Sequence, residues 1–323
     1  MHLPIHRTLV TTALLVVVAG CATGTGTPQD ATTTTEAPGA EDTDGLRVVP
    51  ASFDLAVGDD ARLLVGLLTA DQQLVLGGEV RFELFHLGSD GQQEPDPAGS
   101  ADATFVPVPG KEPSGLGDAP TVVPPADASG VYEARVDLDR AGLWGVGVVA
   151  EVDGEQLRGT ATFAVNEQPL VPGVGDPAPR VPNRTLETDG PLVALDSRAQ
   201  GPDGQVPDPQ LHDATVVDAI EQGRPVVVTV ATPTYCVSQF CGPLVETIEE
   251  LEEQYGDVAE FVHLEVWEDF DGQVLNAAAA AWIQTAVGGN EPWVFLVDAD
   301  GIVQARWGNV LDQQALVEQL EAL

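Results

Sequence analysis

The hydrophobic pattern changes character along the chain, and that change constrains the fold more than any other feature. Residues 131–138 read Val-Tyr-Glu-Ala-Arg-Val-Asp-Leu and alternate, with Tyr132, Ala134, Val136 and Leu138 on one face and the charges on the other. This is the two-residue period of a half-buried antiparallel strand. Near residue 225 the pattern becomes Pro-Val-Val-Val-Thr-Val-Ala, a continuous apolar run. Such a run predicts a strand buried on both faces. Helix and strand signals then alternate to the end of the chain.

In the first region, Asp139-Arg140-Ala141-Gly142 reads as a turn, and Trp144, Val146, Val148, Ala150 and Val152 alternate again. Asp153-Gly154 is a hairpin signal leading into a third strand over 157–165. Earlier strands are expected at 61–68 and 79–87, followed by a Pro- and Gly-rich stretch over 88–130. The run from Gly130-Val131-Tyr132 through Ala141-Gly142-Leu143-Trp144 resembles Ig-like sandwich domains of exported bacterial proteins. The resemblance implies an all-β Ig-like sandwich over 46–166, and because no catalytic constellation stands in its sequence it reads as a spacer or binding module. His86 ends a strand face formed by Val80, Phe82 and Leu84 and reads as a partly buried histidine.

Two flanking stretches cannot build a core. Residues 22–45 lack Leu, Ile, Val and aromatic side chains, and residues 167–210 contain nine prolines. Residues 21–45 are read as a flexible tether and 167–210 as a Pro-rich linker. Ahead of them, His6 and Arg7 precede an apolar run over 9–19 that is too short to span a bilayer comfortably. Val18-Ala19-Gly20-Cys21 resembles the lipobox of bacterial lipoproteins. That resemblance implies a signal peptide over 1–20, lipid on Cys21 and an extracytoplasmic, membrane-anchored product.

The charge excludes other partners. With 13 Lys plus Arg against 51 Asp plus Glu the formal net charge is −38, which repels nucleic acid and anionic lipid alike. Membrane attachment therefore rests on acyl chains. Three cysteines are too few for a disulfide scaffold. With Cys21 assigned to lipid, Cys236 and Cys241 are left to pair.

From residue 211 the expected order is a helix over 213–222, the strand over 225–231, a helix over 243–255, a strand over 258–266 and a long helix over 272–286. Strands at 293–297 and 302–307 and a closing helix over 311–323 follow, with Asp298-Ala299-Asp300-Gly301 as a turn. Cysteines after the first buried strand, and Pro292 just before a later one, resemble the thioredoxin superfamily. The resemblance implies a multidomain protein whose C-terminal region, 211–323, has an α/β thioredoxin-like fold. It places Cys236 and Cys241 as the catalytic pair, with Pro292 as a cis-proline whose neighbouring backbone binds an extended substrate segment. Four residues separate the cysteines, where the family has two. Either Cys236 is the nucleophile and Cys241 resolves, or Phe240-Cys241-Gly242-Pro243 copies the family's Trp-Cys-Gly-Pro with Cys236 resolving from upstream.

The function this implies is thiol-disulfide exchange with exported protein thiols or disulfides. A thiolate is the attacking species, and a helix N-terminus stabilises it. No basic residue lies near the pair in sequence, and acidic surroundings raise a thiol pKa. One alternative is a redox-inert binding module whose disulfide is structural. Another is copper delivery through the two cysteines and a distal histidine, although His263, within Phe261-Val262-His263-Leu264, reads as a core or sheet-face residue. No cofactor and no metal-ligand set are expected.

Overall fold

The computed structural model describes residues 45–125, 129–236, 240–284 and 290–323. The expected signal peptide, Cys21 and nearly all of the expected tether lie outside the described residues. No described helix is long and apolar enough to cross a membrane.

Strands β1 (Leu46–Pro50), β2 (Gly58–Thr69), β3 (Leu74–Leu76), β4 (Glu79–His86), β5 (Asp96–Pro107), β6 (Thr121–Val123), β7 (Gly130–Leu138), β8 (Gly142–Val152) and β9 (Glu155–Val165) form one nine-stranded antiparallel sheet. Its order is β6-β3-β2-β7-β5-β4-β8-β9, with β1 on β2. The sheet curls until Gly45 bridges Arg158. A side chain at Gly159 would run into the Leu46 carbonyl at this approach. Phe82, Tyr132, Trp144, Val146 and Leu138 fill the interior, and the Tyr132 hydroxyl donates to Gly77 O at 2.7 Å. His86 is buried, its Nε2 3.2 Å from Ala141 O and its ring edge-on to Trp144.

The second part contains α1 (Val216–Glu221), β10 (Val226–Ala231), α2 (Cys241–Tyr255), β11 (Glu260–Glu265), β12 (Trp267–Asp269), β13 (Val274–Leu275), α3 (Ala277–Ala280), β14 (Trp293–Val297), β15 (Val303–Gly308) and α4 (Gln313–Leu320). A four-stranded sheet runs β11-β10-β14-β15. Only β10 and β11 pair in parallel within it. Every residue of β10 is buried, as its continuous apolar run requires.

The expected fold class, an N-terminal all-β Ig-like sandwich with a C-terminal α/β thioredoxin-like fold, is corrected by this architecture. Among the described residues 40% are strand against 16% helix, and the dominant element is a single nine-stranded antiparallel sheet. Alternation specifies one buried face per strand and not which strands pair, so one curled sheet and two stacked sheets share the same pattern. The C-terminal region has four α-helices among the described residues, and only α2 exceeds eight residues. The long helix expected over 272–286 shortens to α3. Val274 and Leu275 pair with β12 instead, the Asn276 side chain caps Ala278 N–H, and Trp282 turns inward 4.8 Å from Phe295. Tertiary packing here overrides the helix propensity of the alanine run.

The stretch 167–210 carries 3-10 turns at Leu192–Ala194 and Ser197–Gln200, with a third at Pro209–His212. Asp196, Ser197 and Asp208 within it are fully buried. The large sheet also touches the second part directly. Arg62 pairs with buried Glu133 on β7 at 2.6 Å and donates to Val310 O at 2.8 Å. Arg306 pairs with Asp54 at 2.8 Å.

Candidate functional site

Buried β10 ends at Ala231, the chain turns through Pro233, Thr234 and Tyr235, and Cys236 N–H donates to Thr232 O at 3.0 Å. Cys241 is the first residue of α2. The two form a disulfide with their Cα atoms 6.1 Å apart. Residues 237–239 between them lie outside the described residues. The sulfurs differ in access, since Cys236 is half-buried and Cys241 is fully buried.

Three segments converge on the pair. The first turn of α2 has no side-chain cap, so its N–H groups and helix dipole favour negative charge at Cys241. Phe240, just before it, packs into a cluster with Val106, Val108 and Val131 of the large sheet and its following loop. A side chain at Gly110 would touch Pro243, so that loop also abuts the start of α2. Tyr235 stacks on Phe270 with ring centroids 3.9 Å apart, and Trp267 meets Phe270 edge-on.

The third segment brings an acid. A carboxylate oxygen of Glu291 and the sulfurs of Cys236 and Cys241 all lie within 4.8 Å of one another. Burial raises the Glu291 pKa from 4.5 to about 7, and the Glu265 carboxylate adds to the shift. The Glu291-Pro292 peptide is cis, and Pro292 is buried and accepts from Asn309 N–H at 2.9 Å. The residue directly before the cis-proline therefore brings its carboxylate to the sulfurs. The sequence reading used residue 291 only as the neighbour of Pro292. An acid directly before that proline was the available signal.

His263 belongs to a different group. Its Nδ1 lies 3.5 Å from Asp196 Oδ2 and 3.4 Å from His212 Nε2, and its Nε2 lies 3.1 Å from Ala231 O. The cysteines group with Glu291 and His263 groups with Asp196 and His212. The two-cysteine, one-histidine copper arrangement is thus not assembled among the described residues. Burial opposes charge on Asp196, yet hydrogen bonds from His212, His263 and Arg198 hold its carboxyl well below the ordinary range. Sequence reasoning missed Asp196, Asp208 and His212 because they lie in or beside the Pro-rich stretch, where no periodicity marks them as interior.

No family model matches the chain, and no curated protein does. Functional inference therefore rests on local chemistry. A cavity of about 960 Å³ lined by Asp54, Arg62, Trp293 and Arg306 includes neither cysteine.

Proposed function

We propose that the Cys236–Cys241 pair is a thiol-disulfide exchange centre acting on exported protein thiols or disulfides, in a protein held to the membrane by lipid on Cys21. The observation that carries this reading is the asymmetry of the pair: Cys236 is half-buried, Cys241 is fully buried at a helix start, and a carboxyl of pKa about 7 stands beside both sulfurs.

In the oxidising direction a substrate thiolate attacks Cys236 Sγ, the Cys236–Cys241 bond breaks, and Cys241 leaves with the electron pair. The α2 N-terminus stabilises that thiolate and the Glu291 carboxyl supplies its proton. A second substrate thiolate then attacks the substrate sulfur of the mixed disulfide and releases Cys236 as thiolate. The substrate gains a disulfide and the protein holds two reduced cysteines. With the reduced pair the steps run backwards: Glu291 takes the Cys241 proton and Cys241 resolves the mixed disulfide. An acid near pKa 7 is divided between its two forms at neutral pH and serves both directions. Cys236 is the attacking cysteine in this scheme because it is the less buried of the two.

Complete burial of Cys241 also suits a second reading, a structural disulfide in a binding module. The discriminating test uses Cys241→Ser and Cys236→Ser in the full chain, reduced and presented with a disulfide-bonded model protein. Exchange predicts that Cys241→Ser accumulates mixed disulfide and that Cys236→Ser, left with a sealed thiol, accumulates far less. A structural disulfide predicts no adduct with either.

A further inference from the structure

Outside the cysteine site, and independent of its chemistry, four side chains from three segments meet in the sealed interior below β10 and β11. Asp196 precedes one 3-10 turn, Asp208 and His212 flank another, and His263 lies on β11 opposite Thr229. All are buried, at 0–1% exposure. His212 Nε2, His263 Nδ1 and Asp196 Oδ2 form a triangle with edges of 3.4, 3.5 and 3.6 Å. Ligands about 2.0–2.2 Å from a tetrahedral ion stand roughly 3.3–3.6 Å apart. The triangle is therefore one face of such a tetrahedron at its working size.

Three further observations point to a cation. Asp208 Oδ1 is buried without a hydrogen-bond partner and lies 3.9 Å from His212 Nε2, beside the triangle. His263 Nε2 donates to Ala231 O, so Nδ1 is the ring atom that faces the cluster, the usual outer-shell arrangement of a ligating histidine. Arg198 bonds both Asp196 and Asp208, so one guanidinium is shared between two buried carboxylates.

We propose that Asp196, Asp208, His212 and His263 bind a structural divalent metal, zinc by ligand type and geometry. The site is closed, with no position open to substrate, so the ion clamps the 196–212 segment onto the β10–β11 pair rather than doing chemistry. Because the ligands are sealed, the ion enters as the chain folds.

The test uses the full chain with the cysteines oxidised, refolded from denaturant with zinc or with chelator and then dialysed, with zinc measured by elemental analysis. Stoichiometric zinc is expected, together with a higher melting temperature than the chelator-refolded protein. X-ray absorption at the zinc edge should show nitrogen and oxygen ligands with no sulfur. Asp208→Asn, which keeps the volume, should weaken zinc affinity by about tenfold or more, while Cys236→Ser/Cys241→Ser should retain the metal. Absence of zinc after refolding with it, sulfur among the ligands, or unchanged affinity in both Asp208→Asn and His212→Gln would overturn the proposal. Failure here leaves the exchange reading intact, because the cysteine variants report on that separately.

Discussion

The cysteine pair and the Asp196–His212–His263 cluster are built on the same two strands, since Cys236 follows β10 and His263 lies on β11 paired to it. They differ in access and in charge balance. At the cysteines one residue is half-buried, and the neighbouring acid has no described salt-bridge cation, so burial lets it keep its proton up to near neutral pH. In the cluster every side chain is sealed, and Arg198 ties both carboxylates. An exchange centre needs an open sulfur and a movable proton, whereas a clamp needs neither. The contrast teaches that buried charge in this protein stands in two different settings, one with a guanidinium partner and one without.

The largest effect should come from breaking the sealed side of the comparison. Arg198→Leu leaves Asp196 and Asp208 without their guanidinium, and denaturant unfolding should show a loss of about 3–5 kcal/mol. A loss below 1 kcal/mol would mean that the cluster is not balanced by Arg198.

Glu291 sharpens the open side. Its folded pKa of about 7 lies above the ordinary 4.5, so the folded state binds the extra proton. Its contribution to stability is full below pH 4.5 and is lost as pH rises through 7. Glu291→Gln removes that cost. It should stabilise the protein by about 1–2 kcal/mol at pH 8, allowing for partial solvent screening, and change little at pH 4. Equal effects at both pH values would show that the carboxyl does not titrate in this range.

The smallest effect belongs to a surface pair on the large sheet. Arg81 and Asp102 meet at 2.8 Å but are 53% and 71% exposed. Arg81→Ala should cost under about 1 kcal/mol, and less at high salt. A larger loss would blur the distinction between sealed and solvated charge.

Local elements were largely legible in the sequence, and their assembly was not. The alternation over 131–138 became β7, the apolar run over 225–231 became β10, and Asp298 closes its turn by accepting from Asp300 and Ile302 N–H. β5 escaped because the inward residues over the first part of Asp96–Pro107 are small alanines among Asp, Gly and Ser, too weak an apolar stripe to announce a strand. Glu133, placed among outward charges by the alternation, is buried beneath Arg62 of β2, which pairs with it and donates to Val310 O of the second part. The spacing of Cys236 and Cys241 was visible at once. The approach of Glu291 to the sulfurs and of His212 to His263 arises from chain segments 50 or more positions apart in the sequence, which no local pattern encodes.

The central claim is that the Cys236–Cys241 bond is made to be exchanged, and its reduction potential tests this most directly. The full chain is equilibrated across a series of thiol-disulfide buffers, and the reduced fraction is read by thiol alkylation. Exchange predicts a potential above about −300 mV, within reach of other exported dithiols. A potential well below that value, with neither cysteine reacting in the folded protein, would contradict it and make the bond a structural one.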